Sequence, residues 1–169
     1  MAVFLITLAL VAFVPMIAEA ARSARHDRAL RAAGAIEPSG DVFASMQLAY
    51  PGVFVLMIAE AWLRGTTFSP LATAGFLIFA AAKALKYWAM ATLGPRWTFR
   101  VLVPPDSSRT IAGPYRYLRH PNYVGVVGEI VGFALAAQSP IAGALALIVF
   151  VPLIAQRIRI EERALGLRR

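Results

Sequence analysis

The chain has 169 residues, 59% hydrophobic and 15% charged, with a mean hydropathy of +0.66, whereas soluble domains average about 45–50% apolar and about 25% charged. This balance excludes an ordinary soluble domain, and the length allows one membrane-embedded domain over residues 1–169. The absence of cysteine excludes disulfides, thiolate nucleophiles and zinc–thiolate sites, and two histidines, His26 and His120, do not make a histidine-rich metal centre.

Apolar runs fall at Met1–Ala21, Val42–Leu63, Leu71–Ala91, Tyr123–Ala137 and Ile141–Gln156. The first three are each about 31–33 Å long as helices, enough to cross a hydrocarbon core of about 30 Å. The last two are shorter and separated only by Gln138-Ser139-Pro140, which predicts a helical hairpin. The reading is therefore an all-α integral membrane protein of about five transmembrane helices. Met1–Ala21 lacks a basic leader, and Glu19 sits where small residues would precede a cleavage site, so this run is expected to remain as the first helix.

The net charge of +8 is explained by location. Four bases lie in residues 22–41, five in 92–122 and five after Gln156, against the single Arg64 in residues 64–70. The positive-inside rule then predicts an outer N-terminus and an inner C-terminus in the cytoplasmic membrane, with anionic headgroups and not nucleic acid as the partner of these bases. Arg22, Arg25, Arg28 and Arg31 share a helical face up to the break at Gly34. Their simplest role is to face headgroups. Lys83 and Lys86 are expected to snorkel from the inner end of the third helix.

Residues 93–123 read LGPRWTFRVLVPPDSSRTIAGPYRYLRHPNY. So long a loop in so small a protein, rich in Tyr, Trp and Arg, suits either an anion- and ring-binding site or an interfacial anchor. In the last helix Arg157 and Glu161 are four residues apart and share a face, while Ile158, Ile160 and Leu165 need something to pack on. Docking on the folded loop would bring Arg157 and Glu161 to His120 and Tyr123. Glu129 lies two turns beyond Asn122, and an intramembrane carboxylate is a functional candidate, here a general base, with a structural hydrogen-bonding role as the alternative.

GPYRYLRHPNYVG at Gly113–Gly125, preceded by LKYWAMATLGPRW and followed by RIRIEERAL, resembles the isoprenylcysteine carboxyl methyltransferase family of integral-membrane, S-adenosylmethionine-dependent enzymes. The resemblance covers roughly the C-terminal half. The N-terminal half, with AAGAIE at Ala32–Glu37, is similar to a bacterial branch linked to methylation of polyketide-derived lipids such as alkylpyrones. The resemblance implies cofactor contacts from Tyr115, His120, Pro121, Asn122 and Tyr123, from Glu161 to the adenosyl part, and from the turn at Arg109, Thr110 and Ile111. It places Arg157 on the substrate.

These residue types suit the chemistry. A carboxylate suits ribose hydroxyls or an ammonium, aromatic faces suit adenine or a sulfonium, and exposed amides suit a carboxylate. The expected reaction is methylation of a lipophilic acceptor, preferably a hydroxyl on a polyketide-derived or phenolic lipid, with a prenylated or other lipidic carboxylate as the alternative. A hydroxyl must shed a proton, for which Glu129, His120 and Glu162 are the candidates. An NADPH-dependent sterol-type reductase and a small transporter or lipid-binding protein are the readings from other classes. No metal is called for.

Overall fold

The computed structural model describes residues 1–105 and 110–166. It contains five helices: α1 (Ala2–Ala32), α2 (Phe43–Leu63), α3 (Pro70–Leu93), α4 (Pro121–Ala137) and α5 (Pro140–Ala164). Two 3₁₀ turns, Gly94–Arg96 and Gly113–Arg116, flank the stretch joining α3 to α4. The four helices other than α4 are long and apolar enough to span a membrane, and α4 is a shorter apolar helix of 17 residues. The protein is an integral membrane protein.

Sequence explains the helix ends. Ser69 accepts a hydrogen bond from Ala72 N (3.1 Å) and Pro70 opens α3, the arrangement expected of an N-terminus. At the hairpin between α4 and α5, Gln138 takes the left-handed conformation with φ of 54°. Glu60 of α2 accepts from the first amides of α5, Ile141 N (3.3 Å) and Ala142 N (2.6 Å), so a distant carboxylate caps that helix. α1 runs on past its apolar part to Ala32, carrying exposed Arg22, Arg25 and Arg28, and the chain turns at Gly34 with φ of +83°.

The core is aromatic: Phe54 of α2, Phe79 of α3 and Phe133 of α4 pack mutually, and Tyr50 stacks edge-on against Phe54 and Phe150. α3 and α4 approach closely because small residues line their seam. A Cβ on Gly75 would lie 2.1 Å from Ala136 N, and one on Gly132 would lie 2.5 Å from Phe79 N. Small residues are the usual means of close helix approach in lipid, where burial of apolar surface drives nothing.

Four charges are buried between the helices. Lys83 Nζ lies 2.7 Å from Glu19 Oε1 and 2.8 Å from Glu129 Oε2, and Lys86 Nζ lies 2.6 Å from Glu19 Oε2 and 3.3 Å from Glu129 Oε1. Tyr50 donates a short hydrogen bond to Glu129. The expected snorkelling of Lys83 and Lys86 is therefore wrong. Carboxylates from α1 and α4 are within reach, so each ammonium finds its counter-charge inward and the cluster sums to zero.

Candidate functional site

Pro121 starts α4 at a position where its missing N–H costs nothing, and it thereby places Asn122 and Tyr123 on the first turn, facing the end of α5. Tyr123 Oη donates to Glu161 Oε2 (2.9 Å) and accepts from Arg157 Nε (3.0 Å). His120 Nε2 is 3.2 Å from Glu162 Oε1, and His120 Nδ1 is 4.0 Å from Glu161 Oε2. The four-residue spacing on α5 and the RHPNY turn thus meet at one place, as the sequence pattern required.

Arg157 is 5% exposed and each of its nitrogens is engaged. Besides Tyr123 it donates to the Phe99 carbonyl and, from Nη1, to Asp41 Oδ1 (3.1 Å). Asp41 Oδ2 in turn accepts from Val101 N (3.0 Å). The stretch supplying these groups is tied to α1: Phe99 N donates to Ser23 Oγ (2.7 Å), and His26 Nδ1 donates to the Trp97 carbonyl (2.7 Å). Trp97 Nε1 donates to Asn122 Oδ1 (3.3 Å). The connection between α1 and α2 is fastened to the same stretch by a two-way backbone pairing of Ile36 with Val103, and by Glu37, which binds Arg100 (2.7 Å) and Arg31. Burial works against the Glu37 charge, but these two guanidiniums outweigh it and hold the carboxyl below its usual range.

Two cavities meet here. A polar cleft is walled by Trp97, Arg100, Tyr115, His120 and Glu161 among others. A larger, mainly apolar cavity lies between α1, α2 and α5, walled by Phe13, Met16, Met46, Tyr50 and Phe150 among others. Thr98, Asn122, Tyr123 and Arg157 belong to both walls.

Tyr115, His120, Asn122, Tyr123, Arg157 and Glu161 are therefore brought together. Burial raises the Tyr115 hydroxyl well above its ordinary pKa, and the Glu161 charge adds to this, so the ring stays neutral. Pro121 is buried as the helix start and lines neither cavity. Thr110 accepts a hydrogen bond from Arg96 Nη2 (3.0 Å) and Ile111 is 74% exposed, but neither residue lines either cavity, and Arg109 lies outside the described residues. Glu129 lines neither cavity; its partners Tyr50 and Lys86 stand between it and the apolar one. Sequence reasoning missed Asp41, Trp97 and the Phe99 carbonyl. Asp41 precedes an apolar run as any boundary residue does, and no spacing links it to Arg157.

The model of the isoprenylcysteine carboxyl methyltransferase (ICMT) family matches residues 72–166, more than half of the chain. The chain belongs to that family. The matched segment holds nearly all of α3, the stretch after it, α4 and the whole of α5, so it contains the residues lining the polar cleft but not α1, α2 or Asp41. Similar curated proteins are an uncharacterized protein of Haemophilus influenzae, 27% identical over 85% of this chain and 84% of its own length, and the uncharacterized protein YpbQ of Bacillus subtilis, 29% identical over 88% of each. No solved structure gives a significant match. As an ICMT-family member the protein is a membrane methyltransferase.

Proposed function

We propose that the protein transfers a methyl group from S-adenosylmethionine, bound in the polar cleft, to a lipophilic acceptor entering through the apolar cavity, and that the acceptor atom is a hydroxyl oxygen of a polyketide-derived or phenolic lipid. The observation that carries this reading is the shared wall: Thr98, Asn122, Tyr123 and Arg157 face a polar cleft on one side and an apolar cavity on the other. Methyl transfer to a lipid needs that meeting of two phases, since the enzyme's task is to align the reactants and exclude water.

The cleft fits the donor chemically. Glu161, whose side chain is one-third exposed, offers a carboxylate to hydroxyls or an ammonium. Tyr115, Tyr123 and His120 offer ring faces, with Asn122, Pro121 and the turn at Thr110 and Ile111 completing the set that the family resemblance implies. When bound, the donor supplies an electrophilic methyl: the acceptor oxygen forms the new O–C bond, and the S–C bond breaks with its electron pair remaining on sulfur.

A hydroxyl acceptor also gives up a proton. Tyr123 lines both cavities and its hydroxyl already donates to Glu161, so the acceptor proton passes to Tyr123 Oη while the tyrosine proton moves to Glu161 Oε2. Glu161 then releases it toward the cleft. This route replaces Glu129 as proton acceptor. Protonating Glu129 would leave two buried ammoniums sharing one carboxylate, which low-dielectric surroundings penalise. Its work is to hold α4 to α1, α2 and α3. By the distribution of arginines, the cleft faces the cytoplasm.

The test is a titration of the detergent-purified protein with S-adenosylhomocysteine and, separately, with NADPH. Saturable binding of the first alone is expected. Binding of NADPH alone selects a reductase, and binding of neither selects a transporter or lipid carrier.

A further inference from the structure

The charges around the apolar cavity are already spoken for. Its two cationic wall residues are Arg157 and Lys86. Lys86, with Lys83, is matched by Glu19 and Glu129. Arg157 is matched by Asp41, which reaches it from the α1–α2 connection; the side chains are 7% and 5% exposed. Glu161, on the cleft side, offsets the single net positive charge of the methyl donor. Among the described residues that line the apolar cavity no cation is then left unmatched, so an incoming lipid carboxylate would enter it without a counter-charge. Stripping an ion of water without pairing it is among the most unfavourable events in a protein interior. A neutral hydroxyl needs only a hydrogen bond. Among the described residues three acceptors take N–H groups of Arg157, and a guanidinium carries five, so donors remain to hold the acceptor oxygen.

We propose that Asp41 is the specificity-determining residue of this site: by neutralising Arg157 it reserves the junction for uncharged hydroxyl acceptors and turns lipid carboxylates away. The inference rests on the methyltransferase reading of the two cavities but concerns a residue outside the matched segment 72–166. Discrimination arises from the desolvation imposed on the wrong ligand as much as from contacts to the right one. Asp41 is a positioning residue for Arg157 as well, since its second oxygen fixes the backbone at Val101.

The experiment measures lipid binding, not turnover. Wild-type protein in detergent, saturated with S-adenosylhomocysteine, is titrated with a long-chain alkylphenol and with a fatty acid of matched length. The phenol is expected to bind at least about tenfold more tightly. Asp41→Asn keeps the shape but frees the Arg157 charge; with S-adenosylhomocysteine affinity unchanged, it should narrow or reverse that ratio, mainly by strengthening the fatty acid. Should the variant fail to fold, the wild type decides, because a fatty alcohol of the same length should bind where the fatty acid does not. The proposal is overturned if the wild type binds the acid as tightly as the phenol or the alcohol, or if Asp41→Asn weakens both lipids alike. Loss of S-adenosylhomocysteine binding by the wild type itself would instead defeat the methyltransferase reading.

Discussion

Lys86 Nζ on α3 lies 2.6 Å from Glu19 Oε2 on α1, and both side chains are almost wholly buried. A buried pair is weak evidence of net stabilisation, but breaking it by removing one partner costs about 3–5 kcal/mol because the other charge is left unpaired. Glu19→Gln should therefore lower the unfolding temperature in detergent sharply. Adding Lys86→Met should recover most of the loss, since Lys83 would then face Glu129 alone and the cluster would again be neutral. A double variant no more stable than the single one would show that the pairing does not account for the effect.

Glu161→Gln should leave melting nearly unchanged, because the residue is partly exposed and its neighbours stay hydrogen-bonded. Its affinity for S-adenosylhomocysteine should fall roughly ten- to a hundred-fold, the equivalent of losing one charge-assisted hydrogen bond of about 1.5–3 kcal/mol. Wild-type affinity in this variant would remove Glu161 from the cofactor site.

Arg157 joins Asp41, Tyr123 and the Phe99 carbonyl, so Arg157→Ala alone confounds chemistry with the cost of an orphaned Asp41. Arg157→Met combined with Asp41→Asn removes both charges together. This variant should melt closer to wild type than Arg157→Ala does and retain S-adenosylhomocysteine binding, while methyl transfer to a lipid extract falls by about a hundred-fold or more. Retained turnover would mean the arginine serves the fold only.

Acid should loosen the α1–α2 connection. The Glu37 carboxyl titrates below its usual value of 4.5 in the folded protein. Its contribution to holding Arg31 and Arg100 is present above that value and is lost as pH falls through the depressed folded value. Amide hydrogen exchange at Ile36 and Val103 should rise over this acid range in the wild type, and be raised already at neutral pH in Glu37→Gln. Exchange at these amides that is independent of pH, after correction for intrinsic rates, would contradict the link.

Topology is open to labelling because the chain has no native cysteine. Ile111 and Phe68 are 74% and 67% exposed, in the α3–α4 and α2–α3 connections. In intact cells an impermeant thiol reagent should modify Phe68→Cys and spare Ile111→Cys; the opposite pattern would invert the orientation.

Much of this was legible from local pattern. Apolar runs placed the five helices, and the four-residue spacing of Arg157 and Glu161, with hydrophobic residues needing cover, brought α5 to the RHPNY turn. What was not legible depends on pairings across the bundle. Glu19, Lys83, Lys86 and Glu129 lie too far apart for any spacing rule, so two lysines near a helix end looked like snorkelling anchors. One signal was available: Glu19, Glu60 and Glu129 fall within the predicted spans, so carboxylates enough to match both lysines were present at membrane depth, which lipid exposure would not favour. Asp41 had no comparable signal, because its partner is 116 residues away and its role exists only once the α1–α2 connection folds down.

The glycine seam between α3 and α4 has a mechanical corollary. Where Gly75 and Gly132 let backbone touch backbone, neither helix can slide without collision, so the pair behaves as the fixed jaw of a vice. The apolar cavity lies between this jaw, with α5, and the longer side chains of α1 and α2. Under the proposed function, room for thicker or branched lipid tails would then come from α1 and α2, and tail preference should vary with the residues that those two helices present to the cavity.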